Sequence, residues 1–295
     1  MHEAPAGRPE WTLPPIPAVL ISIVSVQGGA AIAKGLFPAL GAVGTSSMRL
    51  VLGMLILLAV FRPPLTRFTR AQWSAVIPYG IALGSMNLSF YLALERIPLG
   101  LGVTLEFVGP LVLAVAGSRR ALDLLWGLVA AVGIVLLTPW SATRATLDPR
   151  GVLLALFAGG CWAAYILLGG RLSRRLPGGQ GVAAGMLVAT FTVLPLALAE
   201  GVAAKLTPPL LMAGLGVALL SSAVPFTLEM MALRVLPGRT FGILMSLEPA
   251  AATLMGIVLL RERLSAVQWL AVFLVSAASA GTTLTARRLP PPTEA

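Results

Sequence analysis

Ten apolar runs divide the chain, at about residues 18–38, 44–61, 74–94, 100–117, 122–140, 151–170, 181–199, 208–233, 240–260 and 265–285, and most of the charge falls between them. Each run is close to the ~20 residues that cross a bilayer as a helix. The pattern predicts an all-α polytopic membrane protein with ten transmembrane helices. Five runs precede the Asp148-Pro149 turn and five follow. An odd number of crossings per half turns the second half upside down, so the expected architecture is an inverted 5+5 repeat with a substrate site near the midplane. The residues carry the repeat too: Ala93 to Pro110, ALERIPLGLGVTLEFVGP, returns as Ala232 to Pro249, ALRVLPGRTFGILMSLEP, with Pro98 and Pro110 answering Pro237 and Pro249. The expected organisation is a tail at 1–17, five-helix repeats at 18–140 and 151–285, and a tail at 286–295.

Polar residues inside apolar runs are the candidates for function, because an acidic or basic group at membrane depth costs about 2.5–3.5 kcal/mol on insertion scales. Glu106 and Glu248 each stand just before the second proline of their repeat. Pro110 frees the carbonyl of Glu106, Pro249 that of Met245 and Pro225 that of Ser221, so three helices carry expected kinks with polar backbone facing something. In the first run Gln27 and Lys34 accompany Gly28 and Gly29, which also fit close helix approach. Two readings stand for Lys34. It lies about 6 Å of helical rise from Pro38 and could snorkel to the outer interface, or it pairs with Glu106 near Arg49 at similar depth. Tyr79, Asn87 and Tyr91 share the third run, with Asn87 and Tyr91 on one face, suited to interhelical hydrogen bonding or to substrate contact. Trp162 and Tyr165 share a face of the sixth run as a candidate cavity wall. Glu229 is a candidate substrate ligand, with pairing to Arg234 as the plainer alternative.

Composition narrows the class. With 57% hydrophobic and 11% charged residues, the chain falls far from soluble domains, which are about 25% charged. A single cysteine, Cys161, and a single histidine, His2, leave no usual ligand set for a metal, and no cofactor is expected. The net charge of +10 is spread singly or in short clusters between apolar runs, which reads as a topology signal rather than a nucleic-acid surface. Arg8, Arg62, Arg67, Arg70, Arg119, Arg120, Arg171, Arg174, Arg175, Arg234, Arg239, Arg287 and Arg288 fall on one side. Arg96, Arg144, Arg150, Lys205, Arg261 and Arg263 fall on the other, so both termini are expected in the cytoplasm. The first residues lack the pattern of a cleavable signal.

The segments QGGAAIAKGLFP, TLEFVGP, SRR, CWAAYILLGGR, VPFTLEMMALRVLPGRTFG and LMSLEPA resemble the EamA branch of the drug/metabolite transporter superfamily, from about Gln27 to Leu284. The blocks are most similar to those of bacterial threonine and homoserine exporters, and amino-acid exporters of broader range share the fold. The resemblance implies alternating-access export of small amino acids, threonine and homoserine first, across an inner membrane. It places Gln27, Lys34, Asn87, Glu106, Trp162, Glu229 and Glu248 on helices that wall the cavity. Proton coupling through Glu106 or Glu248 is a further expectation.

The rival classes are a multidrug or other metabolite exporter of the same superfamily, an intramembrane enzyme, and a channel. Intramembrane carboxylates on separate helices without histidine argue against the enzyme. Lys34 and Arg49 argue against a lipophilic-cation pump, since a zwitterion needs both signs of partner.

Overall fold

The computed structural model describes residues 14–116, 121–137, 148–176, 178–233, 235–236 and 238–285. The described chain is helical, without strands. In order it forms α1 (Pro15–Gly35), α2 (Phe37–Phe61), α3 (Arg70–Leu94), α4 (Leu99–Glu106), α5 (Val108–Ala116), α6 (Ala121–Leu137), α7 (Pro149–Ser173), α8 (Gly178–Ala199), a single turn α9 (Val202–Lys205), α10 (Pro208–Ala218), α11 (Val224–Leu233), α12 (Gly238–Met245), α13 (Glu248–Leu260) and α14 (Ala266–Thr285). Most of both tails, with Arg119, Arg120, Trp140, Arg144 and Arg234, lies outside the described residues.

Among the described residues, seven helices are long and apolar enough to cross a membrane by length and composition. Three shorter apolar segments, Leu99–Leu113, Leu124–Leu136 and Pro208–Ser222, stand at the fourth, fifth and eighth apolar runs. Two of the short ones have a local cause. The fourth run breaks at Phe107, three residues before Pro110, and the eighth passes through a π-helical turn, Leu219–Ala223, before Pro225. The ninth run breaks likewise at Ser246 and Leu247, where Pro249 enters the first turn of α13. The outside of the bundle is apolar: Leu124, Leu128, Phe157, Phe191, Val258 and Phe273 are exposed, as a lipid-facing surface requires and a soluble one avoids.

Several boundaries depart from the apolar pattern for reasons of capping. Pro38 opens α2 instead of closing α1, because its fixed φ and missing amide suit a first turn. α3 starts at Arg70, ahead of its apolar run, because Thr69 and Gln72 form a reciprocal capping box. Gly41 kinks α2 at φ 71°, a conformation open to glycine, and so adds a bend that no apolar pattern marks.

α3 packs against α7 and α8, and α1 and α2 correspondingly pack against the α10–α11 segment. α4 and α5 lie on α7, while α13 lies on α1; α6 meets α14, α2 meets α8, and α4 meets α13. Helices α3 and α7 run antiparallel. Arg175 donates to the Ala71 carbonyl (2.7 Å) and Ser74 Oγ (2.9 Å) at one end, and Arg96 bonds Asp148 (3.0 Å) at the other. Asp148 caps α7, and the Arg150 amide, then the Arg96 guanidinium, hold its carboxyl below the usual range.

The break between α4 and α5 is pressed onto α7. A Cβ on Gly109 would overlap the Gly159 carbonyl, and one on Gly159 would meet the Glu106 carbonyl oxygen at 2.5 Å. Gly159→Ala is therefore expected to cost about 1–3 kcal/mol, since backbone must move to admit the methyl group. A fall in the melting temperature of the detergent-solubilised protein would show it; an unchanged value would mean that this backbone contact is absent.

Candidate functional site

The interruptions in α4/α5, α10/α11 and α12/α13 face one another across a cavity of about 320 Å³. Its wall takes Val26, Gln27 and Ala30 from α1, Arg49 from α2, Leu83, Met86, Asn87 and Phe90 from α3, and Val103 and Glu106 from α4. Trp162 and Tyr165 come from α7, Ser221 from the π turn, Glu229 from α11, Met245 from α12 and Glu248 from α13.

Arg49 is held by neutral groups. Its Nη1 donates to Asn87 Oδ1 (2.9 Å) and to the Tyr91 hydroxyl (3.5 Å), and Nη2 donates to the Ser221 carbonyl (3.4 Å). The guanidinium also lies 5.8 Å from the Tyr91 ring centroid. Asn87 presents its oxygen because its amide nitrogen is committed to the Leu83 carbonyl at 2.9 Å. The Ser221 carbonyl is available because Pro225, four residues on, has no amide to offer it. The neighbouring Leu220 carbonyl of the π turn takes its donor from Ser25 Oγ at 2.7 Å. Among the described residues Arg49 forms no ion pair.

Among the described lining residues, three carboxyl groups share the cavity with this one cation. Glu106 ends α4 and Glu248 begins α13; both are 8% exposed. The helix dipole of α13 favours an anion at Glu248, whereas Glu106 sits at the negative end of α4, a place better suited to a cation. Gln27 Nε2 donates to Glu248 Oε2 at 3.3 Å, and Ser22 donates to Glu229. Arg49 and Glu106 line the same cavity without forming an ion pair with each other. Trp162 stands edge-on to Phe107, ring centroids 4.9 Å apart, and Tyr165 packs on Tyr79 at 4.8 Å.

A second void of about 210 Å³ shares Arg49, Asn87, Tyr165, Ser221 and Glu229 with the first and adds Tyr79 and Pro225. A third, about 230 Å³, shares Tyr79, Tyr165 and Val182 with the second and reaches Ser173 and Leu176 at the C-terminal end of α7. The three together lead from the cavity to that end of the bundle.

Of the residues singled out from sequence, Gln27, Asn87, Glu106, Trp162, Tyr165, Glu229 and Glu248 meet in the cavity wall. Tyr79 lines the adjoining voids, and Tyr91 is buried beneath Arg49. Lys34 stands apart. It is neither snorkelled nor paired with Glu106; its Nζ donates to Glu262 Oε1 at 2.7 Å and to the Ile97 carbonyl at 2.8 Å. The alternative partner for Glu229, Arg234, lies outside the described residues. Arg49 and Ser221 are the polar wall residues that were not assigned to the site from sequence. A cation in an otherwise apolar run was the available signal for Arg49, and a freed carbonyl that for Ser221.

Residues 149–284, from α7 to α14, match the EamA-like transporter family. The threonine/homoserine exporter RhtA of Salmonella typhimurium is 45% identical over 282 residues, covering 96% of this chain and 95% of the exporter. The exporter of that name from Escherichia coli K12 is 44% identical over 280 residues, covering 95% and 94%. A protein solved by crystallography superposes with a TM-score of 0.58 at 20% identity, over 93% of this chain and 99% of its own.

Proposed function

The chain belongs to the EamA-like transporter family, and from that premise we propose that it exports small zwitterionic amino acids, threonine and homoserine among them, across a bacterial inner membrane. The observation that carries this reading is the cavity's pairing of unlike charges: Arg49 and Glu106 line the same space and form no ion pair with each other. An α-amino acid carries its carboxylate and ammonium a few ångströms apart and satisfies both. Arg49 takes the carboxylate and Glu106 the ammonium. Asn87 and Ser221 hold Arg49 in place, and Gln27 orients Glu248. A lipophilic cation, the cargo of the runner-up reading, would meet Arg49 as a like charge.

Alternating access between two inverted five-helix halves exposes the site first to one side of the membrane and then to the other. Exchanging the halves maps α3 on α7 to the α10–α11 segment on α1, and α4/α5 on α7 to α13 on α1, while α2 on α8, α4 on α13 and α6 on α14 map to themselves. That two-fold pattern supports ten crossings, as does a family match that covers one half by itself. With the first turn of α1 in the cytoplasm, the voids that end at Ser173 open inward, the side from which an exporter loads. Protons balance the excess of carboxylates over cations in the cavity, and their exchange drives export.

Trp162, packed against Phe107, limits the space for the substrate side chain. In proteoliposomes tested with a panel of amino acids, the parent is expected to favour small polar side chains. Trp162→Ala shifts the ranking toward aromatic ones by about tenfold, the scale on which a pocket discriminates by size. An unchanged ranking would reduce Trp162 to helix packing, and no uptake of any amino acid would refute the substrate class.

A further inference from the structure

The Lys34–Glu262 contact lies at the opposite end of the bundle from Ser173 and joins elements otherwise distant in sequence. Lys34 is in the last turn of α1, where a cation also complements the helix dipole. Its two acceptors, the Ile97 carbonyl and the Glu262 carboxylate, belong to the α3–α4 and α13–α14 connections. Glu262 serves a second purpose. Both of its oxygens accept from the Leu99 amide, at 3.1 and 2.9 Å, capping α4 where Pro98 offers no side-chain cap. One carboxylate thus holds α1 and α4 together, and its side chain is only 12% exposed.

The geometry that aims Glu262 is specific. Arg261 ends α13 in the left-handed region at φ 56°, a conformation unfavourable for a residue other than glycine, and the Glu262 amide turns back to the Gly256 carbonyl at 3.1 Å. The carboxylate then rests against Gly256, where a Cβ would overlap it. Short, stiff helices connect this contact to the cavity: α4 has its capped amide at one end and Glu106 at the other, and α13 begins with Glu248 and leads into Glu262. At 1.5 Å per residue, α4 spans only about 12 Å, so a shift at Glu106 reaches Leu99 without an intervening loop.

We infer that Lys34 and Glu262 form the latch that closes the periplasmic end of the transport path, and that it opens when occupancy at Glu106 or Glu248 moves α4 and α13. The assignment of this end to the periplasm rests on the proposed orientation. Lys34 in this role contacts no substrate; it sets which side the cavity faces.

The test measures cavity access from each side of the membrane. Met86, on the cavity wall, is replaced by cysteine in a Cys161→Ser background, and labelling by a charged, membrane-impermeant methanethiosulfonate is timed in right-side-out and inverted vesicles. The parent is expected to label slowly from the periplasmic side. Lys34→Ala, Glu262→Gln and Gly256→Ala should each speed that labelling by about tenfold, as a shift of the closed–open equilibrium. Gly256→Ala retains both charges and displaces only the carboxylate, so it separates the latch from a general loss of charge, and melting temperatures confirm folding. Parent-like rates from both sides in all three folded variants would overturn the latch. Acceleration confined to inverted vesicles would uphold the latch and overturn the orientation. Acceleration in a preparation that binds no threonine would uphold the latch while refuting the substrate.

Discussion

Replacing Arg49 by glutamine is expected to lower threonine transport by about thirtyfold or more, the range that follows from roughly 2–5 kcal/mol for removing one partner of a buried hydrogen-bonded charge pair. Arg49 donates to Asn87, Tyr91 and the Ser221 carbonyl, which fixes the plane of the guanidinium at the cavity wall. A fixed fork is what a carboxylate needs for two parallel hydrogen bonds. Lysine retains the charge without the fork, so Arg49→Lys should still be impaired by about tenfold. The two variants also separate binding from folding. Glutamine leaves the Ser221 carbonyl and the Asn87 oxygen short of donors, at about 1–3 kcal/mol for each buried group left unpaired. Transport is therefore compared at matched amounts of folded protein, with apparent affinity and melting temperature measured together. Parent-level transport by Arg49→Gln would remove Arg49 from the site.

Glu248→Gln is expected to abolish accumulation driven by a pH gradient while leaving threonine counterflow within about twofold of the parent, because exchange at equal concentrations needs the binding site but no coupled proton. The division of labour follows from position. Glu106 lines the cavity with Arg49 and ends α4 at its negative pole, which favours a cation and suits an ammonium group. Glu248 starts α13 and is held by Gln27, an amide that can serve a charged or a neutral carboxyl. Glu106→Gln should depress both assays, since it removes the proposed partner of the substrate ammonium. Liposomes measured with and without an imposed pH gradient distinguish the two acids. A parent protein that never accumulates threonine under such a gradient would rule out coupling, and loss of counterflow in Glu248→Gln would place that residue in substrate binding.

The helical architecture was legible because lipid exposes apolar side chains all round and so writes long unbroken runs. What the runs could not show was how polar residues and glycines shape their ends and middles. Thr69 and Gln72 extend α3 into polar sequence, and Gly41 bends α2 inside an apolar stretch, because hydrogen bonding and φ, rather than hydropathy, decide those points. The cavity was legible to the extent that burial of a polar group is costly: Gln27, Asn87, Glu106, Glu229 and Glu248 stand out in apolar sequence and meet around one space. Of the proline breaks, the one at Pro225 marked a carbonyl, that of Ser221, that meets a cavity residue, Arg49. Lys34 shows the limit of that reasoning. Its depth was readable, but its partner, Glu262, lies in a connection between arginines that appeared to mark only topology. Distance along the chain conceals such a contact, and three-dimensional packing alone brings it out.

The most direct measurement separates the two charges of the substrate. Purified protein in liposomes is loaded with radiolabelled threonine, and counterflow is challenged with threonine, with its amino-alcohol analogue lacking the carboxylate, and with its hydroxy-acid analogue lacking the ammonium. Competition by threonine, with each single-charge analogue at least about tenfold weaker, is the expected result, because each leaves Arg49 or Glu106 buried without its partner. Equal competition by the amino alcohol would contradict the reading, since it would show that a cation alone fills the site and that Arg49 plays no part in recognition.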